Sequence, residues 1–259
     1  MCSIITFSKY FIENADQLAR SSGYDVVYKL EAGKSYCVFS AHDAATELLE
    51  FQEMHQTSYV IYQSENIESA FFTPAGPNGS LVGSANAYIE LLKRNRVLQY
   101  SPFTAAMCKE RFQIRTDGYF NFHYRTLSSN HKRTIDLLFF GAMTQKRHDI
   151  LREIQNRFEH LHMVVAADLF HAALDDTLLY TRFVLNISAY ENNALETHRI
   201  NKALACGCNV ISNYSADTKM NEKYDRLYRS EGPNGKAVHF CGRTVSDYIE
   251  AVARWVTRG

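Results

Sequence analysis

Residues 135–158 read IDLLFFGAMTQKRHDILREIQNRF, and this stretch decides the fold. Its first six residues form a short, mostly apolar run of the kind that makes a buried strand. One glycine, Gly141, follows, and from Gln145 onward the apolar residues recur at helical spacing. A buried strand that runs through a glycine into a helix is the beginning of a βαβ unit, which builds a parallel sheet.

The same alternation of strand and helix extends in both directions from this stretch. The periodicity predicts strands at 3–7, 24–28, 36–40, 58–62, 96–100, 135–140, 163–166, 183–187 and 209–212. It predicts helices at 15–22, 44–54, 85–93, 145–158, 194–206 and 244–256, and one after Ser101-Pro102. Residues 71–83 collect glycine and proline and are predicted to form a long exposed loop. Because 127–133 is polar and aperiodic, we place a junction there and predict two Rossmann-like domains, residues 1–130 and 131–259.

The composition excludes several classes of protein. Lys plus Arg and Asp plus Glu both number 28, so the chain has no basic excess and nucleic acid is not an expected partner. No run approaches the roughly 18 apolar residues of a membrane helix, so we expect no transmembrane segment and a cytoplasmic location. The six cysteines are scattered, and we expect reduced thiols rather than disulfides. Cys206 and Cys208 lack a second pair at zinc spacing and are interpreted as packing residues.

The turn at Gly141 is a candidate anion site. Free N–H groups and the helix dipole favour an anion where a strand enters a helix, and Lys146 and Arg147 add positive charge in the first turn. Basic residues are more usual at the other end of a helix, which favours a functional interpretation over a solvated face. The pattern is neither a P-loop nor a G-x-G-x-x-G motif.

A second candidate segment follows the strand at 183–187. Ligands of open α/β sheets bind beyond the carboxyl ends of the strands, where this polar loop lies. Glu196 and Arg199 are three residues apart, so both lie on one face of the predicted helix, near its beginning. A simple salt bridge would explain that pair equally well.

Short motifs in this segment carry a family resemblance. Leu195-Glu196 and Arg199-Ile200 lie in the first half of the predicted helix, Ala205-Cys206-Gly207 ends it, and Val210-Ile211-Ser212 forms the next strand. With Asn186-Ile187 before them, these motifs resemble the nucleotide-sugar-binding segment of GT-B glycosyltransferases. In a bacterial and viral branch of that family, Tyr62-Gln63-Ser64-Glu65, Leu91-Leu92-Lys93 and Tyr100-Ser101 also have counterparts.

The resemblance implies an α/β fold of two Rossmann-like domains facing a cleft, with the acceptor mainly on the first domain and the donor nucleotide mainly on the second. It also implies a glycosyltransferase that moves a sugar from a nucleotide-sugar donor to a glycan or other hydroxyl acceptor. Glu196 would bind the ribose or nucleotide, Arg199 with Lys146 or Arg147 would bind the diphosphate, and Gly141 would allow the phosphates to approach closely. The remaining residues expected to bind the donor are Thr144, Asn186, Tyr190 and Asn192. Because the chain has no Asp-x-Asp motif, we expect no metal and no other cofactor.

An inverting transferase also needs a base for the acceptor hydroxyl. The candidates are Glu65, Asp43 and His42, each predicted beyond the carboxyl end of a strand. Glu65 has the added support of its family-like Tyr-Gln-x-Glu context. An alternative role for Asp43 or His42 is to cap the helix that begins near Ala44. A retaining mechanism would need no such base.

Two further functions remain open at this point. Lys202 and Asn213 stand where the family has glutamate, and a lost active site would leave a noncatalytic nucleotide- or phosphosugar-binding protein. A nucleotide-sugar epimerase is the other alternative, because that fold also pairs two such domains.

Overall fold

The computed structural model describes residues 2–64, 83–122, 124–127, 132–229 and 235–257. The chain divides into two compact units, Met1–Asn121 and Phe122–Gly259. Each unit contains one parallel β-sheet with helices between its strands, so the α/β class predicted from the alternation is confirmed. Within the described ranges, none of the helices combines the length and the apolar character needed to cross a membrane.

The first unit contains a six-stranded sheet of order β2-β1-β3-β4-β5-β6. Its strands are β1 (Cys2–Thr6), β2 (Val26–Val27), β3 (Ser35–Phe39), β4 (Tyr59–Gln63), β5 (Arg96–Gln99) and β6 (Gly118–Tyr119). Its helices are α1 (Ile12–Ser22), α2 (Ala45–His55), α3 (Gly83–Arg94) and α4 (Pro102–Phe112). Ser101 caps α4 as expected, since its side chain accepts hydrogen bonds from the backbone of Phe103 and Thr104.

The second unit contains a five-stranded sheet of order β11-β10-β9-β7-β8. Its strands are β7 (Ile135–Phe140), β8 (Met163–Ala166), β9 (Thr181–Asn186), β10 (Asn209–Asn213) and β11 (Val238–Cys241). Its helices are α5 (Gln145–Arg157), α6 (His171–Leu179), α7 (Thr197–Ala205), α8 (Thr218–Tyr228) and α9 (Val245–Trp255). Of these elements, α6, α8 and β11 were not predicted from the periodicity, and α7 begins later than predicted.

The second sheet is buried on both faces, which explains the apolar run in β7. Leu138 and Phe140 pack with side chains of α6, α7 and α8 on one face. Leu137 and Phe139 point the opposite way and pack with side chains of α5 and α9. Successive residues of a strand face opposite sides of its sheet, so only a nearly continuous apolar run can satisfy both cores.

This packing places a topological switch point between β7 and β9. The chain leaves β7 into α5 on one face of the sheet and leaves β9 into α7 on the other face. The loops that follow these two strands therefore lead to opposite faces of the sheet, and open α/β sheets bind ligands at such a point. The first sheet has the same winding, because β1 lies between β2 and β3.

Residues 122–127, apart from the undescribed position 123, pack on the second unit. The carbonyl of Phe122 accepts a hydrogen bond from Asn201, and the N–H of Leu127 donates to the carbonyl of Ala205. The second unit therefore begins a few residues before the polar stretch where the sequence places the junction. The sequence is rich in aromatic residues from Tyr119 onward. Of these residues, Tyr119 lies in the first sheet, in the short strand Gly118–Tyr119.

A histidine of β11 that packs on α9 makes the stability of the fold depend on pH. His239 stacks on Trp255 with ring centroids 3.9 Å apart, and burial lowers the pKa of His239 to about 4. Between pH 6.5 and 4 the unfolded chain therefore binds a proton that the folded chain does not, so stability falls as the pH falls through this window.

We expect the wild type to lose about 1–2 kcal/mol more than a His239→Phe variant between about pH 7 and 4.5 in urea unfolding, after allowance for partial exposure of the ring. Phenylalanine keeps the stack without the titrating group. Parallel pH profiles of the two proteins would contradict the assignment.

Candidate functional site

Three charged side chains meet at the switch point of the second unit. Glu196 precedes α7 in the loop that follows β9, and its carboxylate contacts Arg147 from the first turn of α5 and Arg199 from the first turn of α7. The side chains of Arg147 and Arg199 are only 4% and 11% exposed, and that of Glu196 is 25% exposed. These residues form the Arg147–Glu196–Arg199 cluster.

Each of the three guanidinium nitrogens of Arg147 donates a hydrogen bond within the protein. Its Nε donates to the carbonyl of Ile187 at 2.8 Å, Nη1 to the carbonyl of Ala142 at 2.7 Å, and Nη2 to Glu196 at 2.6 Å. These bonds tie the loop after β7 to the loop after β9. The sequence predicts Lys146 or Arg147 as a diphosphate contact, and in the structure the Arg147 guanidinium already donates to Ile187, Ala142 and Glu196.

Arg199 is held less completely. Its Nη1 donates to Asn186 at 2.8 Å and also contacts Glu196, while its Nε makes no hydrogen bond with any residue that the structure describes. Burial lowers the pKa of the guanidinium below its usual value, and Glu196 opposes that shift. Its Nη2 lies over Gly141, where an added Cβ would stand 2.5 Å from that nitrogen. Gly141 therefore lets a buried cation approach the end of β7.

The cluster carries an unbalanced charge. Two guanidinium groups share one carboxylate, which leaves one positive charge in a largely buried setting. A buried charge without full compensation is costly, and an anion beside Arg199 would offset that cost. This arrangement is suited to binding a phosphate or another oxyanion.

A network of hydrogen bonds fixes the strands under the cluster. Asn186 donates to Ser212 at 2.9 Å and accepts from Arg199, which links β9, β10 and α7. The hydroxyl of Tyr248 lies 3.0 Å from the carbonyl of Asn186 and 2.8 Å from Oδ1 of Asn213. Asn186 thus holds Arg199 in place. Asn213, at a position where the family has glutamate, joins β10 to α9.

The other residues expected to bind the donor lie in the loops after β7 and β9 and in the first turn of α5. Thr144 caps α5 by accepting a hydrogen bond from the N–H of Arg147 at 3.3 Å. Lys146 pairs with Glu191, with 2.9 Å between nitrogen and oxygen. Tyr190 is half-buried and Asn192 is exposed. The structure thus brings these residues to the same edge of the sheet as the cluster.

Sequence reasoning missed Asn193, a neighbour of these residues. Its side chain is buried, and its Oδ1 has no hydrogen-bond partner among the described residues. Two adjacent asparagines, Asn192 and Asn193, in a loop after a strand indicate a polar side chain at the site. The sequence does not indicate which of the two amides points inward.

Lys202, one of the two residues that depart from the GT-B pattern, is packed within the second unit. Its ammonium pairs with Asp175 and lies 5.1 Å from the centre of the Tyr124 ring. The side chain is buried on α7 behind the cluster, where it fixes α6 and residues 124–127.

In the first unit, two of the three candidate bases lie at the corresponding switch point. A turn at Ala41–Ala44 follows β3, and Nε2 of His42 lies 3.3 Å from the carboxylate of Asp43. The residue at the cap of α2 is Ala44, with no side-chain cap hydrogen bond, so neither candidate caps that helix. Glu65 lies outside the described residues. Within the described part of the chain, no three His, Cys, Asp or Glu side chains are grouped to hold a metal ion.

Comparison with known proteins gives a likeness of fold. No protein-family model and no curated protein matches the sequence. The chain is similar in structure to TarM, a glycosyltransferase of the GT-B type, with a TM-score of 0.57, 11% identity, and coverage of 87% of this chain and 48% of that one.

A second similar structure is that of a point mutant of S. aureus TarM in complex with Fondaparinux, alpha-GlcNAc-glycerol and UDP. It has the same TM-score and identity, and the match covers 86% of this chain and 48% of that one. The chain spans about half the length of these structures. At this level of identity the likeness concerns the fold, which is glycosyltransferase-like.

Proposed function

We propose that the protein is a nucleotide-sugar-dependent glycosyltransferase that transfers a sugar to a hydroxyl group of a glycan or other glycoconjugate. The observation that carries the proposal is the unbalanced positive charge of the Arg147–Glu196–Arg199 cluster at a topological switch point. The glycosyltransferase-like fold and the motifs of the segment 186–212 support the same function.

In this proposal Arg199 binds the diphosphate of the donor. When the bond between the sugar carbon and the diphosphate oxygen breaks, negative charge develops on that oxygen, and a preorganised guanidinium stabilises it. Glu196 acts as a positioning residue, because both of its carboxylate oxygens contact arginines. The acceptor oxygen forms the new bond and loses its proton. In an inverting reaction a base takes this proton, and His42, Asp43 and Glu65 are the proposed residues. No step in this scheme requires a metal ion.

The proposal predicts a specific loss of nucleotide binding in an Arg199→Gln variant. Titration calorimetry should show UDP, or whichever of GDP, TDP and CMP the wild type selects, binding about 10–100-fold more weakly, because a charge-assisted contact to phosphate is removed. Arg152→Gln is the matched control, since Arg152 is an exposed cation on α5. The control should change the affinity by less than about twofold.

Equal affinity in wild type and Arg199→Gln would place the donor elsewhere, and a wild type that binds none of these nucleotides would overturn the proposal. Release of nucleotide from a nucleotide sugar distinguishes a transferase from a noncatalytic binding protein. Interconversion of the free nucleotide sugar would instead identify an epimerase.

A further inference from the structure

The carboxylate of Glu191 bridges two cations above the second sheet. It lies in the loop between β9 and α7, 2.9 Å from the ammonium of Lys146 and 3.8 Å from Nη1 of Arg243. The Glu191 side chain is 72% exposed, whereas Lys146 is 28% exposed. Lys146 holds the pKa of the carboxyl below its usual value, so Glu191 is charged at neutral pH.

The two cations depend on Glu191 to different degrees. Arg243 donates Nε to the carbonyl of Tyr214 at 2.7 Å and Nη1 to the backbone carbonyl of Glu191 at 2.5 Å. These contacts hold Arg243 without the carboxylate. The ammonium of Lys146 has only the Glu191 carboxylate as a partner among the described residues. Lys146 is therefore the cation that another anion could take over.

Lys146 is also placed where an anion is expected. It precedes Arg147 in the first turn of α5, directly after the Gly141 turn, at the edge of the sheet that carries the cluster. An exposed ion pair contributes little stability, whereas a phosphate offers an ammonium a stronger, charge-assisted partner. Exchange of Glu191 for phosphate would thus cost little.

We infer that Glu191 competes with the diphosphate of the donor for Lys146. This competition lowers the affinity of the site for the donor and for the nucleotide product. The inference rests on the proposed function, because it assumes a diphosphate at this edge. A counter-anion inside the site favours release of the nucleoside diphosphate after transfer, a step that often limits turnover.

A double-mutant cycle tests the competition directly. UDP affinity is measured for wild type, Glu191→Gln, Lys146→Gln and the double variant at low ionic strength, with inorganic pyrophosphate as a second ligand. We expect Glu191→Gln to tighten binding by about two- to fivefold, the range that an exposed ion pair allows. In the Lys146→Gln background the same change should have almost no effect. Glu153→Gln, on the exposed side of α5, is the control for a general change of charge.

The outcomes separate the inference from the function on which it rests. Glu191→Gln could tighten binding equally in wild type and in Lys146→Gln. The effect would then come from the change in net charge alone, and the competition for Lys146 would be refuted. Unchanged or weaker nucleotide binding by Glu191→Gln refutes the competition as well. In that case, weaker binding by Arg199→Gln would still support the proposed donor site. A wild type that binds neither pyrophosphate nor any of UDP, GDP, TDP and CMP would overturn both proposals.

Discussion

Replacing Glu196 by alanine is expected to lower the free energy of unfolding by about 3 kcal/mol, the lower end of the range for removing one partner of a buried ion pair. The carboxylate separates two guanidinium groups, and without it Arg147 and Arg199 repel one another in a largely buried place. Partial exposure of Glu196 keeps the loss at that lower end. Urea unfolding monitored by circular dichroism measures it.

Two variants make this result interpretable. Glu153→Ala removes an exposed carboxylate from α5 and should change stability by less than about 0.5 kcal/mol. Glu196→Gln keeps the shape and one oxygen acceptor but not the charge, so it should fall between wild type and Glu196→Ala. If Glu196→Ala unfolds like wild type, the two arginines do not depend on this carboxylate, and the role assigned to the cluster is wrong.

Gly141→Ala is expected to cost about 3–4 kcal/mol and to weaken nucleotide binding about 10–100-fold, as much as the loss of the Arg199 contact to phosphate. The backbone of Gly141 has φ +125°, a conformation that strains any other residue by about 1–3 kcal/mol. The new methyl group would also stand 2.5 Å from Nη2 of Arg199 and force that side chain out of its position. Thermal unfolding and a UDP titration measure the two effects separately.

Gly23→Ala is the matched control for this substitution. Gly23 has φ +72° at the end of α1, and an added Cβ would meet nothing within 4 Å. The control should lose about 1 kcal/mol and keep its affinity for UDP. Normal UDP binding by Gly141→Ala would show that Arg199 does not need the glycine, and would remove the main geometric argument for an anion at this position.

Strong local patterns predicted most of the second sheet. The predicted bounds of β7 and β8 agree with the structure. In β7 the apolar run reflects burial on both faces, whereas β8 lies at the edge of the sheet and its Val165 is exposed. Helix α8 was missed because it buries only Met220, Asn221 and Tyr224 and most of its residues are polar. Helix α6 has nine residues, too few for its period to stand out.

The site illustrates a different limit. The spacing of Glu196 and Arg199 left open either a ligand-binding pair or a salt bridge, and the structure contains the salt bridge. The second partner of Glu196 is Arg147, 49 residues earlier in the chain. Contacts between distant residues follow from the order of strands in the sheet, which periodicity does not report. The unbalanced charge of the cluster therefore becomes visible only in the folded chain.

The strand order within each unit also bears on how such a chain could evolve. Each sheet is built from strands of its own contiguous stretch, and every described strand pairing stays within Met1–Asn121 or Phe122–Gly259. A genetic crossover between the codons of Asn121 and Phe122 would exchange one sheet while the described hydrogen-bonded ladders of the other stay whole. Under the proposed function, selection can then vary the half that meets the acceptor while the half that meets the nucleotide is inherited unchanged.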